Sequence, residues 1–193
     1  MAIIHSNTQV SKPPVDRVRV ADIIRELLQA LGEDPDREGL ADTPRRVADF
    51  WREFLDYSPG KVDTAFTHST ANQMVVVKGM EVWSLCEHHL LPFRAVISIG
   101  YIPNGQVLGL SKFGRIAQKH AHALQLQERL VEQIAADIAH YSGSADVAVF
   151  AEGEHLCMSM RGIHTPATMQ TSVLRGAFLE TETRAEFMAL VRS

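Results

Sequence analysis

The chain reads as an α+β protein: an antiparallel β-sheet with two helices packed on one face, preceded by an N-terminal helical segment. Three observations carry that reading. Apolar residues in the first third recur at steps of three and four. From Met74 onward they fall in short strand-like runs. Two further helical stretches interrupt those runs before strands resume toward the C-terminus.

Residues 1–14 are polar, end in Pro13-Pro14, and read as a flexible arm. Val20, Ile23, Ile24, Leu27, Leu28 and Leu31 then line one face of a helix that Gly32 stops. Residues 33–41 read as a loop. Thr43-Pro44 supplies an N-cap followed by proline at the first helical position. Val47, Phe50, Trp51, Phe54 and Leu55 form the apolar stripe of the second helix. This segment, residues 15–58, is expected to pack on a partner or a neighbouring subunit. Together with a core over residues 74–193 it is read as a single domain, 15–193.

In the core, 74–78 and 81–85 read as strands around a turn at Gly79, and 94–101 as a third strand ended by Pro103-Asn104-Gly105. One helix starts near Ser111. A second carries Leu130, Ile134, Ile138 and Tyr141 on one face and breaks at Ser142-Gly143. Residues 147–151, 156–161 and 172–179 read as further strands, and 183–191 as a closing helix.

Composition narrows the function. Of 193 residues, 46% are hydrophobic and 22% charged, enough apolar material for a core. The formal charge of -4 supplies no positive field for nucleic acid or an anionic membrane surface. Neither a secretory leader nor a membrane-spanning run is evident, so a cytosolic enzyme is expected. In that compartment two cysteines point to metal binding or catalysis rather than a disulfide.

Cys86-Glu87-His88-His89 places a thiol and two imidazoles at a strand end, compact enough to share one ion. Either His88 or His89 satisfies that spacing. If 155–161 is a strand, His155, Cys157, Ser159 and Arg161 lie on one face and Leu156, Met158 and Met160 on the other. Cys86, Cys157 and one histidine would leave a fourth position open for water, the pattern of catalytic zinc. Spare histidines beside it can move protons.

Gly109 through Arg115 opens a helix, with Ser111 as N-cap and Lys112 and Arg115 near the positive end of its dipole. Free amides, a hydroxyl and two cations make a phosphate cradle, to which Arg161 can add. Glu128, beside Gln127, reads as a surface charge, or, if buried, as an acceptor for a guanine edge. His120 and His122 read as surface residues. Trp51 and Trp83 read as packing residues.

Four motifs together resemble GTP cyclohydrolase I. They are Cys86-Glu87-His88-His89, Gly109-Leu110-Ser111-Lys112, Gln127-Glu128-Arg129-Leu130, and His155-Leu156-Cys157-Met158 through Arg161-Gly162. The resemblance runs from about Gly39 to the C-terminus. It implies the tunnelling fold, with subunits assembled into a β-barrel ring, and a homodecamer of two pentamers with active sites between subunits. It implies that GTP and water give 7,8-dihydroneopterin triphosphate and formate. It further implies Cys86, His89 and Cys157 as ligands of Zn2+, and His88 and His155 as proton-transfer residues. Ser111, Lys112, Arg115 and Arg161 match triphosphate contacts, and Glu128 with backbone near Gln127 matches the guanine contact. A diverged paralog acting on a related purine nucleotide and a non-catalytic zinc-stabilised subunit are the competing readings. The chain departs from the family pattern at Ala95-Val96, at His120 to Ala123, and in the loop from Gly162 to Ser172.

Overall fold

The structure is a computed structural model that describes residues 12–67 and 73–193. Residues 1–11 of the expected arm lie outside the described residues. The chain divides into two compact units, residues 1–57 and 58–193.

The first unit is built from α1 (Arg17–Ala30) and α2 (Thr43–Leu55). Asp16 caps α1, its carboxylate accepting from the Arg19 amide at 3.0 Å. The cap of α2 is Asp42 rather than the expected Thr43, so Thr43 is already helical. Arg17 pairs with Asp49 across the two helices at 2.5 Å, and the Val15 amide donates to Asp56. Pro44, Ala48 and Phe54 are buried on α2. Much of the α1 stripe stays exposed, with Ile23, Leu27 and Leu31 at 50%, 48% and 69%.

In the second unit a short antiparallel pair joins β1 (Ala65–Thr67) to β4 (Gln106–Leu108). The main sheet contains β2 (Val75–Cys86), β3 (Pro92–Tyr101), β5 (Leu124–Gln125), β6 (Val147–His155) and β7 (Thr168–Leu174). Their order is β5-β2-β3-β6-β7. All neighbours are antiparallel except β5, which pairs in parallel with Leu85 and Cys86. The two strands expected around Gly79 are one strand. Gly79, at φ +74°, sits in an irregularity between Val77 and Met80, and pairing with β3 resumes beyond it.

Two helices, α3 (Leu110–Ala121) and α4 (Gln127–Ser142), cover one face of this sheet, as expected. Phe113, Ile116, Leu130, Ile134 and Ile138 pack there against Ala95, Ile97, Ile99, Val149 and Ala151, all at most 1% exposed. Gly143 ends α4 in the left-handed conformation at φ +66°. The opposite face is covered from the C-terminus. Residues expected as one strand over 172–179 divide into β7 and a 3-10 turn, Gly176–Leu179. Phe178 from that turn and Phe187 from the closing helix α6 (Thr181–Arg192) pack on Ala148. A Cβ on Gly100 would stand 2.7 Å from the Phe187 ring.

Residues 156–161 are not a strand. β3 begins at Pro92, and Phe93 is the last residue opposite β6, paired with His155. Beyond His155 no further β3 partner exists, and the chain coils into α5 (Leu156–Ser159). The expected alternation of His155, Cys157, Ser159 and Arg161 along one strand face is therefore corrected.

Candidate metal centre

β2 ends at Cys86, which is 6% exposed. A tight turn follows, with the His89 and Leu90 amides donating back to the Cys86 carbonyl at 3.3 and 2.9 Å, and Leu90 in the left-handed region at φ 55°. This turn folds His89 over Cys86, Nδ1 lying 3.8 Å from Sγ. The coil at α5 then swings Cys157 toward the same point. Donor atoms of Cys86, His89 and Cys157 lie within 4.8 Å of one another, and both thiols are free.

These residues fit a soft divalent metal. Two thiols and an imidazole are a zinc donor set. Burial pushes the Cys157 thiol up, and the neighbouring Cys86 adds to that, while Arg161 opposes it. Two adjacent thiolates repel, so a bound cation is what favours ionising both. Arg161 lies against this cluster: its guanidinium donates to His89 Nε2 at 2.9 Å.

Two histidines flank the donor set. His88 is exposed, its ring 6.2 Å from that of His89 and edge-on to it. His155 is half-buried at the end of β6 and stacks on Phe93, centroids 4.6 Å apart and planes 11° apart. Burial holds the His155 imidazole below its ordinary value, with the Glu128 carboxylate pulling the other way. His155 also lines a cavity of about 340 Å³ with Ser159, Pro166 and Thr168.

The expected anion cradle sits at the start of α3. Gly109, not Ser111, is its N-cap; Ser111 lies inside the helix and is exposed. Lys112 is 9% exposed and donates to the Lys61 carbonyl at 2.8 Å, and Arg115 donates to the Pro59 carbonyl. Among the described residues no hydrogen bond or ion pair joins these cations to the donor set. Glu128 is exposed on the first turn of α4.

Several contacts were not legible from spacing. Glu87 and Arg129 form a two-point ion pair at 2.6 and 3.0 Å, tying the cysteine turn to α4 and holding the Glu87 carboxyl below its ordinary value. The buried Gln127 side chain reaches His155 Nε2 at 2.9 Å. His120 is not a surface residue: it is 8% exposed and bonds Asp137 at 2.8 Å. His122 is half-buried, with Nδ1 2.8 Å from the Gln118 carbonyl. Trp83 is not packed away; it is 51% exposed. Among the described residues no helix is long and apolar enough to cross a membrane.

Fold and donor set together define an α+β protein with a metal-ready Cys-His-Cys centre flanked by spare histidines. Comparison with known proteins narrows that class. The family model described as GTP cyclohydrolase I matches residues 20–192. A GTP cyclohydrolase 1 of Hyperthermus butylicus is 48% identical over 166 residues, covering 86% of this chain and 85% of the relative. One from Streptomyces coelicolor is 47% identical over 182 residues, covering 91% and 90%. One from Chromohalobacter salexigens is 45% identical over 179 residues, covering 89% and 97%. The chain belongs to the GTP cyclohydrolase I family of enzymes.

Proposed function

We propose that this chain opens the imidazole ring of GTP at C8, releases formate, and recloses the product as 7,8-dihydroneopterin triphosphate. The observation that carries the reading is the convergence of Cys86, His89 and Cys157 within 4.8 Å beside His155, in a chain that the family matches over residues 20–192.

Cys86, His89 and Cys157 hold zinc. Bound there, the ion supplies Lewis-acid activation of water near neutral pH. The purine nitrogen leaving C8 must be protonated, and later steps move protons on the ribose; His88 and His155 serve both. Burial lowers the basicity of His155 and the Glu128 carboxylate opposes that; in the proposed role its imidazole takes up a proton and returns it. Ser111, Lys112, Arg115 and Arg161 hold the triphosphate, anchoring intermediates through successive steps. Glu128 and backbone near Gln127 hold the guanine edge.

The subunit takes the tunnelling fold and assembles as a ring, two pentamers forming a homodecamer with sites between subunits. Lys112 and Arg115 bond within their own chain away from the donor set, which suits a triphosphate site completed by a neighbour. Residues 15–193 are read as one domain, and the exposed apolar residues of α1 suit burial against another subunit.

Incubation of zinc-loaded protein with GTP tests the reading. Formate release and a fluorescent pterin after oxidation and dephosphorylation are expected, with metal content measured on the same sample. Absence of both products from fully loaded protein would refute it.

A further inference from the structure

We propose that the Gln127 side chain is a positioning residue that fixes the tautomer of His155, leaving Nδ1 as the nitrogen that exchanges protons. The inference rests on the proton-transfer role proposed above for His155.

Gln127 opens α4 and is 1% exposed. Its amide nitrogen faces three acceptors: the Met169 carbonyl at 3.0 Å, the Thr171 hydroxyl at 3.1 Å and the Ala151 carbonyl at 3.4 Å. Two of these are carbonyls, which only accept, so the amide end facing them must be the NH2. Turning the amide over would bury its oxygen against two carbonyl oxygens and forfeit the bonds it now donates to them. The amide oxygen is thereby committed to the other side, where it lies 2.9 Å from His155 Nε2.

An amide oxygen also only accepts, so His155 Nε2 must carry a hydrogen. A neutral imidazole carries one N–H, which leaves Nδ1 as the lone-pair nitrogen. The ring's tilt is set independently by its stack on Phe93. The seat of the amide is shaped to it, since a Cβ on Gly153 would overlap the Gln127 oxygen. With both ends of its amide engaged, Gln127 has only backbone to offer a guanine edge.

The test labels histidine with 15N and assigns His155 by its loss in His155→Asn. At alkaline pH, two-bond ring correlations of an Nε2–H tautomer are expected. In Gln127→Leu the pattern should shift to Nδ1–H or a mixture. Turnover of GTP should then fall about 10- to 100-fold in kcat, with KM within about twofold, as for other lost orienting contacts. Unchanged ring correlations of His120, which bonds Asp137 elsewhere in the core, separate loss of the acceptor from loss of fold in Gln127→Leu. An Nδ1–H pattern in the unsubstituted protein, or an unchanged Nε2–H pattern in Gln127→Leu, overturns the proposal. A lost tautomer with unchanged kcat upholds the positioning and refutes instead the role of His155 in proton transfer.

Discussion

Replacing Asp137 with alanine removes the partly buried carboxylate that joins α3 to α4 through Lys119 and His120. The Asp137 carboxylate receives Lys119 Nζ at 2.7 Å and His120 Nε2 at 2.8 Å. Side-chain exposure is 20% for Asp137, 24% for Lys119 and 8% for His120. A hydrogen bond to a charged group contributes about 1.5–3 kcal/mol, and residual solvent access reduces the Lys119 share. With His120 left buried and unpartnered, the loss should be about 2–3 kcal/mol. For a chain of this size that is a fall in Tm of about 4–12 °C. The effect should depend on pH. Burial alone would push the Asp137 carboxyl up, but hydrogen bonds from His120 and Lys119 outweigh it and hold the carboxyl below its ordinary value. A group whose pKa is depressed by folding stabilises the fold above its unfolded value. That contribution is lost as pH falls through the folded value. Thermal unfolding of both proteins, followed from neutral pH into the acid range below about pH 4, should therefore show the gap narrowing on the acid side. A loss under about 0.5 kcal/mol, typical of a plain surface change, or a gap constant across that range, would show that Asp137 is not the ionised partner of His120.

Three further outcomes follow from the site and the core. Cys157→Ala should lower zinc content and abolish activity; full stoichiometric zinc by elemental analysis would contradict the ligand assignment. His88→Ala should retain zinc and lose turnover by about 10²- to 10⁴-fold, the range for removing a general acid or base, whereas loss of the metal would mean that His88 and His89 exchange roles. Gly100→Ala should destabilise the C-terminal packing by about 1–3 kcal/mol, because the new methyl meets the Phe187 ring in a filled core. An unchanged midpoint in denaturant would place Phe187 elsewhere.

Periodicity over a dozen residues was enough to read α4, which buries Leu130, Ile134 and Ile138 along one stripe, and a stripe is a local property of the chain; α1 shows the same period although much of its stripe stays exposed. The donor types were also legible: two cysteines, each two residues from a histidine, point to a shared ion. Local pattern failed at 156–161, where strand-like alternation stands in a helical turn. A strand persists only while a neighbour pairs with it, and β3 supplies none beyond His155. That the register of another strand sets this end cannot be read from the alternating residues themselves.

The same reason separates the rest. Sequence alone carried the class of fold, the family and the donor types, since these rest on short spacings and residue chemistry; spacing left His88 and His89 open, and only the family resemblance preferred His89. Tertiary structure alone decided which polar side chains meet: Gln127 with His155, His120 with Asp137, Glu87 with Arg129. These partners stand 28, 17 and 42 residues apart. Each bond is made because packing α3 and α4 on one face of the sheet brings the groups together, the first two largely out of water and the third at the surface. No pattern along the chain encodes that distance.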